Sequence, residues 1–269
     1  MADSTVVIDA PAGPPSPARL DCSVSLSVVM PCLNEERTVG RCVGKALAAI
    51  ERLGITGEVV VSDNGSSDGS VAAAKKAGAR VVHCSERGYG NAIRRGVEDA
   101  RGQWIIMGDA DDSYDFERID PFVEQLRRGA DVVMGNRYRG GIRPGAMPWK
   151  NRYLGNPVLT FVLNLLFHTG IGDSQCGLRA FSRQAFDAMG LECAGMEFAS
   201  EMLVKAVKRQ LVVAEVPTTL DPDGRGRPPH LAPWSDACRI LRLLLREWRP
   251  GKKPPQEPSR HGVFAKRVV

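Results

Sequence analysis

Residues 104–116 read WIIMGDADDSYDF, a short apolar run that breaks into a crowd of carboxylates. Trp104–Met107 has the length and composition of a strand buried on both faces. Asp109, Asp111, Asp112 and Asp115 follow, with Glu117 just beyond. So much negative charge at the tip of a buried strand is either a solvated loop or the seat of something cationic. Asp109 and Asp111 are spaced i, i+2, which in extended backbone sets both side chains on one side. Two hard oxygen ligands converging at a strand end suit Mg²⁺ or Mn²⁺, which takes one or two protein carboxylates and completes its shell with phosphate and water. Asp115 and Glu117 fit the start of the next helix, where negative charge meets the positive end of the dipole.

Outward from this stretch, strands and helices alternate. Apolar β-branched runs at 26–30, 58–62, 80–83 and 131–135 predict further strands. Helical spacing predicts helices over about 35–53, 68–77, 89–100 and 117–128, with Asp68 able to cap the second. Such alternation with short connections predicts an α/β fold with a Rossmann-like, mostly parallel central sheet flanked by helices in a single domain. Ligands of such sheets bind at the carboxyl ends of strands. The polar clusters lie there: PCLNE after the first strand, DNGSSD after the second, DADD after the fourth. If those strands are neighbours, the three clusters make one site.

The second half is less regular. Helices are expected at 156–168, as a core or surface-docking segment, and at 197–209, with a strand at 212–217. The expected boundaries are a disordered Pro-rich tail over 1–22, a catalytic domain over 23–230, an amphipathic basic helix over 231–250 and a flexible basic tail over 251–269. Between Arg239 and Lys253 six basic residues face one acid, Glu247, interleaved with leucines and Trp248, a pattern that suits an anionic membrane surface or a helix packed on the domain.

Composition narrows the classes. With 43% hydrophobic and 25% charged residues in 269, the chain can bury a sizeable core. None of the seven cysteines forms a C-x-x-C pair, which argues against a zinc ribbon or thioredoxin motif and fits reduced thiols. The N-terminus has an acid at position 3 and no long apolar segment, unlike a secretory signal. No run of eighteen apolar residues is present. The expected location is cytoplasmic, with docking at the cytoplasmic membrane face as the further expectation; nucleic acid is not expected as a partner. GYGNAIRRG at 88–96 fails as a dinucleotide fingerprint because its third glycine is missing. Its Gly90 and Asn91 still open a helix whose backbone N–H groups could face a diphosphate.

Taken in order, PCLNE, DNGSSD, GYGNAIRRG, DAD and DSQCGLRAF resemble a family 2 glycosyltransferase of the GT-A fold, nearest the dolichyl- and polyprenyl-phosphate mannose and glucose synthases. The resemblance implies a UDP- or GDP-hexose donor, a polyprenyl phosphate acceptor or a soluble one in its place, and Mg²⁺ or Mn²⁺ held by Asp109 and Asp111 with Ala110 between them. It implies that Pro31, Asn34 and Glu35 lie against the nucleoside and that Asp63 accepts from the base edge. It further implies that Arg137 and Arg179 sit near the phosphates, Arg179 as a catalytic residue beside the two aspartates. Arg225, Arg227 and His230 fall on a Gly/Pro-rich loop that, by the resemblance, would close over the diphosphate, or is a basic linker. The mannosyl branch has a glutamine where this chain has Ser113, preceded by an extra Asp112. If the acceptor is a hydroxyl, Asp173, Glu197 and Glu201 are candidate bases; a phosphate acceptor needs none. A non-catalytic nucleotide-sugar-binding protein is the rival from another class.

Overall fold

The computed structural model describes residues 24–226 and 233–248. Seven strands form one sheet: β1 (Leu26–Cys32), β2 (Gly57–Asp63), β3 (Arg80–His83), β4 (Trp104–Met107), β5 (Val132–Asn136), β6 (Arg179–Ser182) and β7 (Val213–Pro217). Their spatial order is β3-β2-β1-β4-β6-β5-β7. All pairings are parallel except those of β6, which runs antiparallel to both β4 and β5. The helices are α1 (Val39–Arg52), α2 (Ser70–Lys76), α3 (Tyr89–Asp99), α4 (Asp120–Arg127), α5 (Arg137–Gly140), α6 (Asn156–Phe167), α7 (Arg183–Met189), α8 (Phe198–Lys208) and α9 (Pro233–Glu247).

The strands read as continuous apolar runs because both faces of the sheet are covered. In β1, Val28 and Met30 join one core layer with Val39, Val43 and Ala46 of α1, while Val29 between them joins the other with Ile93 and Val97 of α3. The same period of two splits β4, with Ile106 in the first layer and Ile105 and Met107 in the second. A charge introduced at any of these positions would lose its hydration on either face of the sheet.

Three local differences from the sequence expectations have physical causes. Helix α1 begins at Val39 rather than near Glu35, because Asn34 adopts φ 58° and turns the chain before the helix can start. The expected helix over 117–128 opens as a 3₁₀ turn, Phe116–Arg118, capped by Asp115, and only then becomes α4. Strand β6 is invisible as a pattern, being four residues that include a buried arginine; its partners on both sides, Met107 and Met134 opposite Arg179, make it a strand. For helices α6 and α9 composition left packing and docking both open, and the structure covers their apolar sides differently. Helix α9 buries Ile240, Leu243 and Leu244 in the second core layer, whereas α6 leaves an apolar face open.

Because β2, β1 and β4 are adjacent, the three polar clusters converge. The register pairs Cys32 with Asp63, and Val29 with Met107, so the carboxyl ends of these strands lie side by side.

Candidate active site

A cavity of about 430 Å³ opens at these strand ends. Its floor is Asp109, Ala110 and Asp111; Pro31, Cys32 and Glu35 form one wall, and Asn64, Arg87 and Tyr89 another. Met196, Asp236 and Arg239 reach it from the loop before α8 and from α9, so the C-terminal helix belongs to the site. The volume is that of a small-molecule site.

The two floor carboxylates are held differently. Asp111 accepts from the Ser113 backbone N–H at 3.0 Å and from its hydroxyl at 2.6 Å, both on Oδ1. That leaves Oδ2 for a cation, and the Arg225 guanidinium stands there at 2.9 Å. Asp109 accepts from the hydroxyl of the half-buried Tyr89, and burial together with the nearby Asp111 charge pushes its carboxyl up to about 6. Gly177 makes room for it: a Cβ there would fall 2.7 Å from Asp109 Oδ2. The extra acid of the motif faces elsewhere. Asp112, at φ 64°, pairs with Arg41 at 2.7 Å and Lys45 at 2.8 Å, which pins the loop to α1 and removes Asp112 from the cation side.

The donor set fits a hard divalent cation. Asp109 and Asp111 supply charged oxygens side by side, and among the described residues no third His, Cys, Asp or Glu completes an all-protein cage. That is the arrangement expected where phosphate and water finish the shell. The stand-in is Arg225, itself a cation. It bridges Asp111 and Glu35, at 2.9 and 3.4 Å, and its Nε is buried without a hydrogen-bond partner among the described residues. The Arg225 segment is latched to the acidic loop through backbone bonds from Asp221 N to Ser113 O and from Gly224 N to Asp111 O, both 2.9 Å. Cys32 in the wall is no nucleophile, since burial pushes its thiol up to about 11.

Other expected site residues are placed away from the cavity. Arg179 is fully buried on β6, its guanidinium donating to the backbone carbonyls of Cys176, Ala199 and Ser174. It holds the loop before β6 against α8 and has no free edge for a phosphate. Arg137 makes a buried two-pronged pair with Asp173, at 2.7 and 2.8 Å, so it too is spent within the fold. The same pair removes Asp173 as a base. Glu201 is likewise consumed, accepting from the Glu192 and Cys193 amides and pairing with Lys205. Glu197 remains beside the cavity residues Gly195 and Met196, with Oε2 buried and unpartnered among the described residues.

The opening of α3 does not offer its amides to a ligand. Gly90 N donates to Ala194 O at 2.8 Å, and Asn91 N leans on the same carbonyl at 3.4 Å. Gly90 is required by that approach, since a Cβ would stand 2.1 Å from Cys193 O. Asp63 accepts from Gly65 and Ser66 amides and shapes its wall without lining the cavity; its neighbour Asn64 lines it, and its side chain takes Gly88 N at 2.9 Å. Asn34 ties the first loop to the second through Ser66 and Ser67. Arg227 and His230 lie outside the described residues, as do the tails over 1–23 and 249–269.

Arg87, Tyr89, Met196 and Arg239 are among the cavity residues that sequence reasoning missed. Tyr89 was within reach, lying inside GYGNAIRRG. Arg239 was not, because its placement depends on how α9 packs.

This geometry agrees with what the chain is similar to. The model of glycosyl transferase family 2 matches residues 27–190, more than half of the 269. The low-salt glycan biosynthesis hexosyltransferase Agl6 of Haloferax volcanii is 42% identical over 226 residues, covering 84% of this chain and 54% of the relative. The dolichyl-phosphate hexose transferase of the same organism is 32% identical over 211 residues, covering 75% of this chain and 89% of the relative. The chain belongs to glycosyl transferase family 2. It spans about half the length of the Agl6 relative. Among solved structures, glucosyl-3-phosphoglycerate synthase from Mycobacterium tuberculosis, in complex with Mn²⁺, UDP-glucose and phosphoglyceric acid, superposes with a TM-score of 0.66 at 21% identity over 85% of this chain and 81% of that one. The fold is GT-A.

Proposed function

We propose that the protein is a metal-dependent, inverting hexosyltransferase that moves a hexose from a UDP- or GDP-sugar to a polyprenyl phosphate. The observation that carries this is the pair Asp109 and Asp111, side by side on the floor of a cavity and met there by the Arg225 cation. The name of the dolichyl-phosphate hexose transferase relative supports the acceptor class.

Asp109 and Asp111 would hold Mg²⁺ or Mn²⁺, which supplies charge neutralisation for the departing nucleoside diphosphate. Ser113 fixes the free edge of Asp111 toward the ligand, and Tyr89 does the same for Asp109. Pro31, Glu35 and Asn64 form the walls against which the nucleoside is expected to lie. Arg225 would exchange Asp111 for phosphate oxygens, to which a guanidinium presents matching donors. Arg87 and Arg239 also line the cavity, Arg239 paired with the lining Asp236 at 3.5 Å, and the Arg87 guanidinium is the group there that suits an anionic acceptor. A phosphate oxygen is already ionised near neutral pH, so the residues spent inside the fold, Asp173 and Glu201, are not needed as bases.

Arg225→Ala should raise the affinity for Mn²⁺ alone, because the competing guanidinium is gone. It should also weaken nucleoside diphosphate binding about tenfold, the worth of one charge-assisted contact. Isothermal titration of metal and of nucleotide separates the two effects; no change in either would remove Arg225 from the site.

A soluble hydroxyl acceptor is the second reading. It is favoured by Glu197, whose unpartnered Oε2 beside Gly195 and Met196 could take a proton. A thermal-shift panel of UDP-, GDP- and dTDP-hexoses with Mn²⁺ tests the donor: a ligand at a hundred times its Kd stabilises the native state by about 2.7 kcal/mol. Transfer assays to a short-chain polyprenyl phosphate and to soluble acids then divide the acceptors. A chain that binds donors but turns over none would be a binding protein.

A further inference from the structure

The segment from Pro148 through α6 presents an apolar face that no described residue covers. Trp149, Tyr153, Leu154, Val158, Phe161 and Leu165 are 68%, 69%, 62%, 47%, 65% and 60% exposed. Leu154, Val158, Phe161 and Leu165 follow i, i+4, i+7, i+11 spacing and share one side of the helix, while Thr160, Leu163 and Phe167 on the opposite side are buried. One turn of π-helix, Asn151–Gly155, feeds into α6 and carries Tyr153 and Leu154 outward. A single exposed leucine is ordinary; six large apolar side chains on one continuous face mark an interaction surface.

Charge identifies what covers it. From Val132 to Gly172 the chain contains no Asp or Glu, yet it carries Arg137, Arg139, Arg143, Lys150 and Arg152. Arg137 is buried and Arg143 pairs with Asp221 at 3.6 Å, which leaves Arg139 and, within the face itself, Lys150 and Arg152. Lys150 lies over the Trp149 ring and Arg152 over Tyr153, at 5.8 and 5.4 Å. Aromatic rings with an apolar body and a polar edge, flanked by cations whose stems lie along them, suit the boundary between water and lipid. Among the described residues no helix is long and apolar enough to cross a membrane, so the contact is with a surface.

We infer that the α6 face docks the protein on an anionic lipid surface. Helix α9, for which docking and packing on the domain were both open, buries Ile240, Leu243 and Leu244 and leaves Leu241, Leu245 and Trp248 more exposed, a smaller and less continuous apolar set than that of α6. The buried side of α6 packs on the loop that leads to the active site. Thr160 on its buried side meets Ser174 at 2.9 Å, and Asn164 Nδ2 donates to Ile171 O at 2.8 Å. The same loop continues to Gly177, which packs on Asp109. The benefit to catalysis rests on the proposed lipid-phosphate acceptor: a docked enzyme holds its cavity near the leaflet that carries it. The docking itself does not depend on that proposal.

The test is flotation of the full chain with vesicles of phosphatidylcholine and phosphatidylglycerol in equal parts, against phosphatidylcholine alone. The expected result is binding to the anionic vesicles, weakened by salt. Phe161→Glu with Leu165→Glu should lower partitioning at least about tenfold, and Lys150→Glu with Arg152→Glu should remove the preference for anionic lipid. Both variants should keep the donor-induced thermal shift of the parent, which shows that they fold. Failure of the parent to float, or equal flotation of the variants, would overturn the inference. So would a dimer in sedimentation that Phe161→Glu with Leu165→Glu splits, since the face would then join two copies. Flotation without any donor-induced shift would sink the proposed function and leave the docking standing.

Discussion

Asp111→Asn should abolish metal-dependent transfer while leaving the fold intact. The substitution is nearly isosteric. Its carbonyl oxygen can still accept from Ser113 N and Oγ, the two bonds that shape the acidic turn. What is lost is the negative charge at Oδ2, where Arg225 now stands and where a divalent cation would sit. Charge neutralisation by a bound cation is worth several kcal/mol at the transition state, so transfer should fall by about a hundredfold or more. The melting temperature should move by only about 2–4 °C, as for the loss of one partly buried ion pair. Steady-state transfer with Mn²⁺, read beside a melting curve, checks both halves. A variant that keeps its rate would move the metal off Asp111; one that unfolds would make the residue structural.

Arg179→Met should do the reverse. Arg179 is the largest fully buried side chain, and it satisfies three backbone carbonyls from Ser174, Cys176 and Ala199. Burial alone pulls its guanidinium below the usual value, with no carboxylate in direct contact to offset the cost. Methionine fills similar space but leaves those carbonyls orphaned in the core, each costing about 1–3 kcal/mol. The summed destabilisation should reach at least about 3 kcal/mol, or about 6–12 °C in melting temperature. Nucleotide affinity of the chain that remains folded should be unchanged. A stable variant with weakened donor binding would restore Arg179 to the phosphates.

Arg179 also shows where the sequence stops being informative. The alternation of β1 through β5 was legible because both faces of the sheet are buried, which writes each strand as an apolar run. The convergence of PCLNE, DNGSSD and DADD followed from their places at strand ends. Strand β6 could not be read in this way. It is short, carries a charge, and owes its existence to partners on either side that lie far from it in the chain. Arginines near a ligand and arginines holding backbone carbonyls look alike in sequence. Only the packing separates Arg225, beside Asp111, from Arg179 and Arg137, spent on the fold. Helices α6 and α9 stayed open between packing and docking for a related reason: composition reports that a helix has an apolar side, and neighbours decide whether that side is covered.

The central claim is that Asp109 and Asp111 form a divalent-cation site completed by a nucleoside diphosphate. Electron paramagnetic resonance of Mn²⁺ titrated into the protein, with and without UDP or GDP, measures it directly. One bound Mn²⁺ per chain is expected, held more tightly when the nucleotide is present and released by Asp111→Asn. Nucleotide binding of equal strength in excess chelator, or Mn²⁺ bound as well by Asp111→Asn as by the parent, would contradict it.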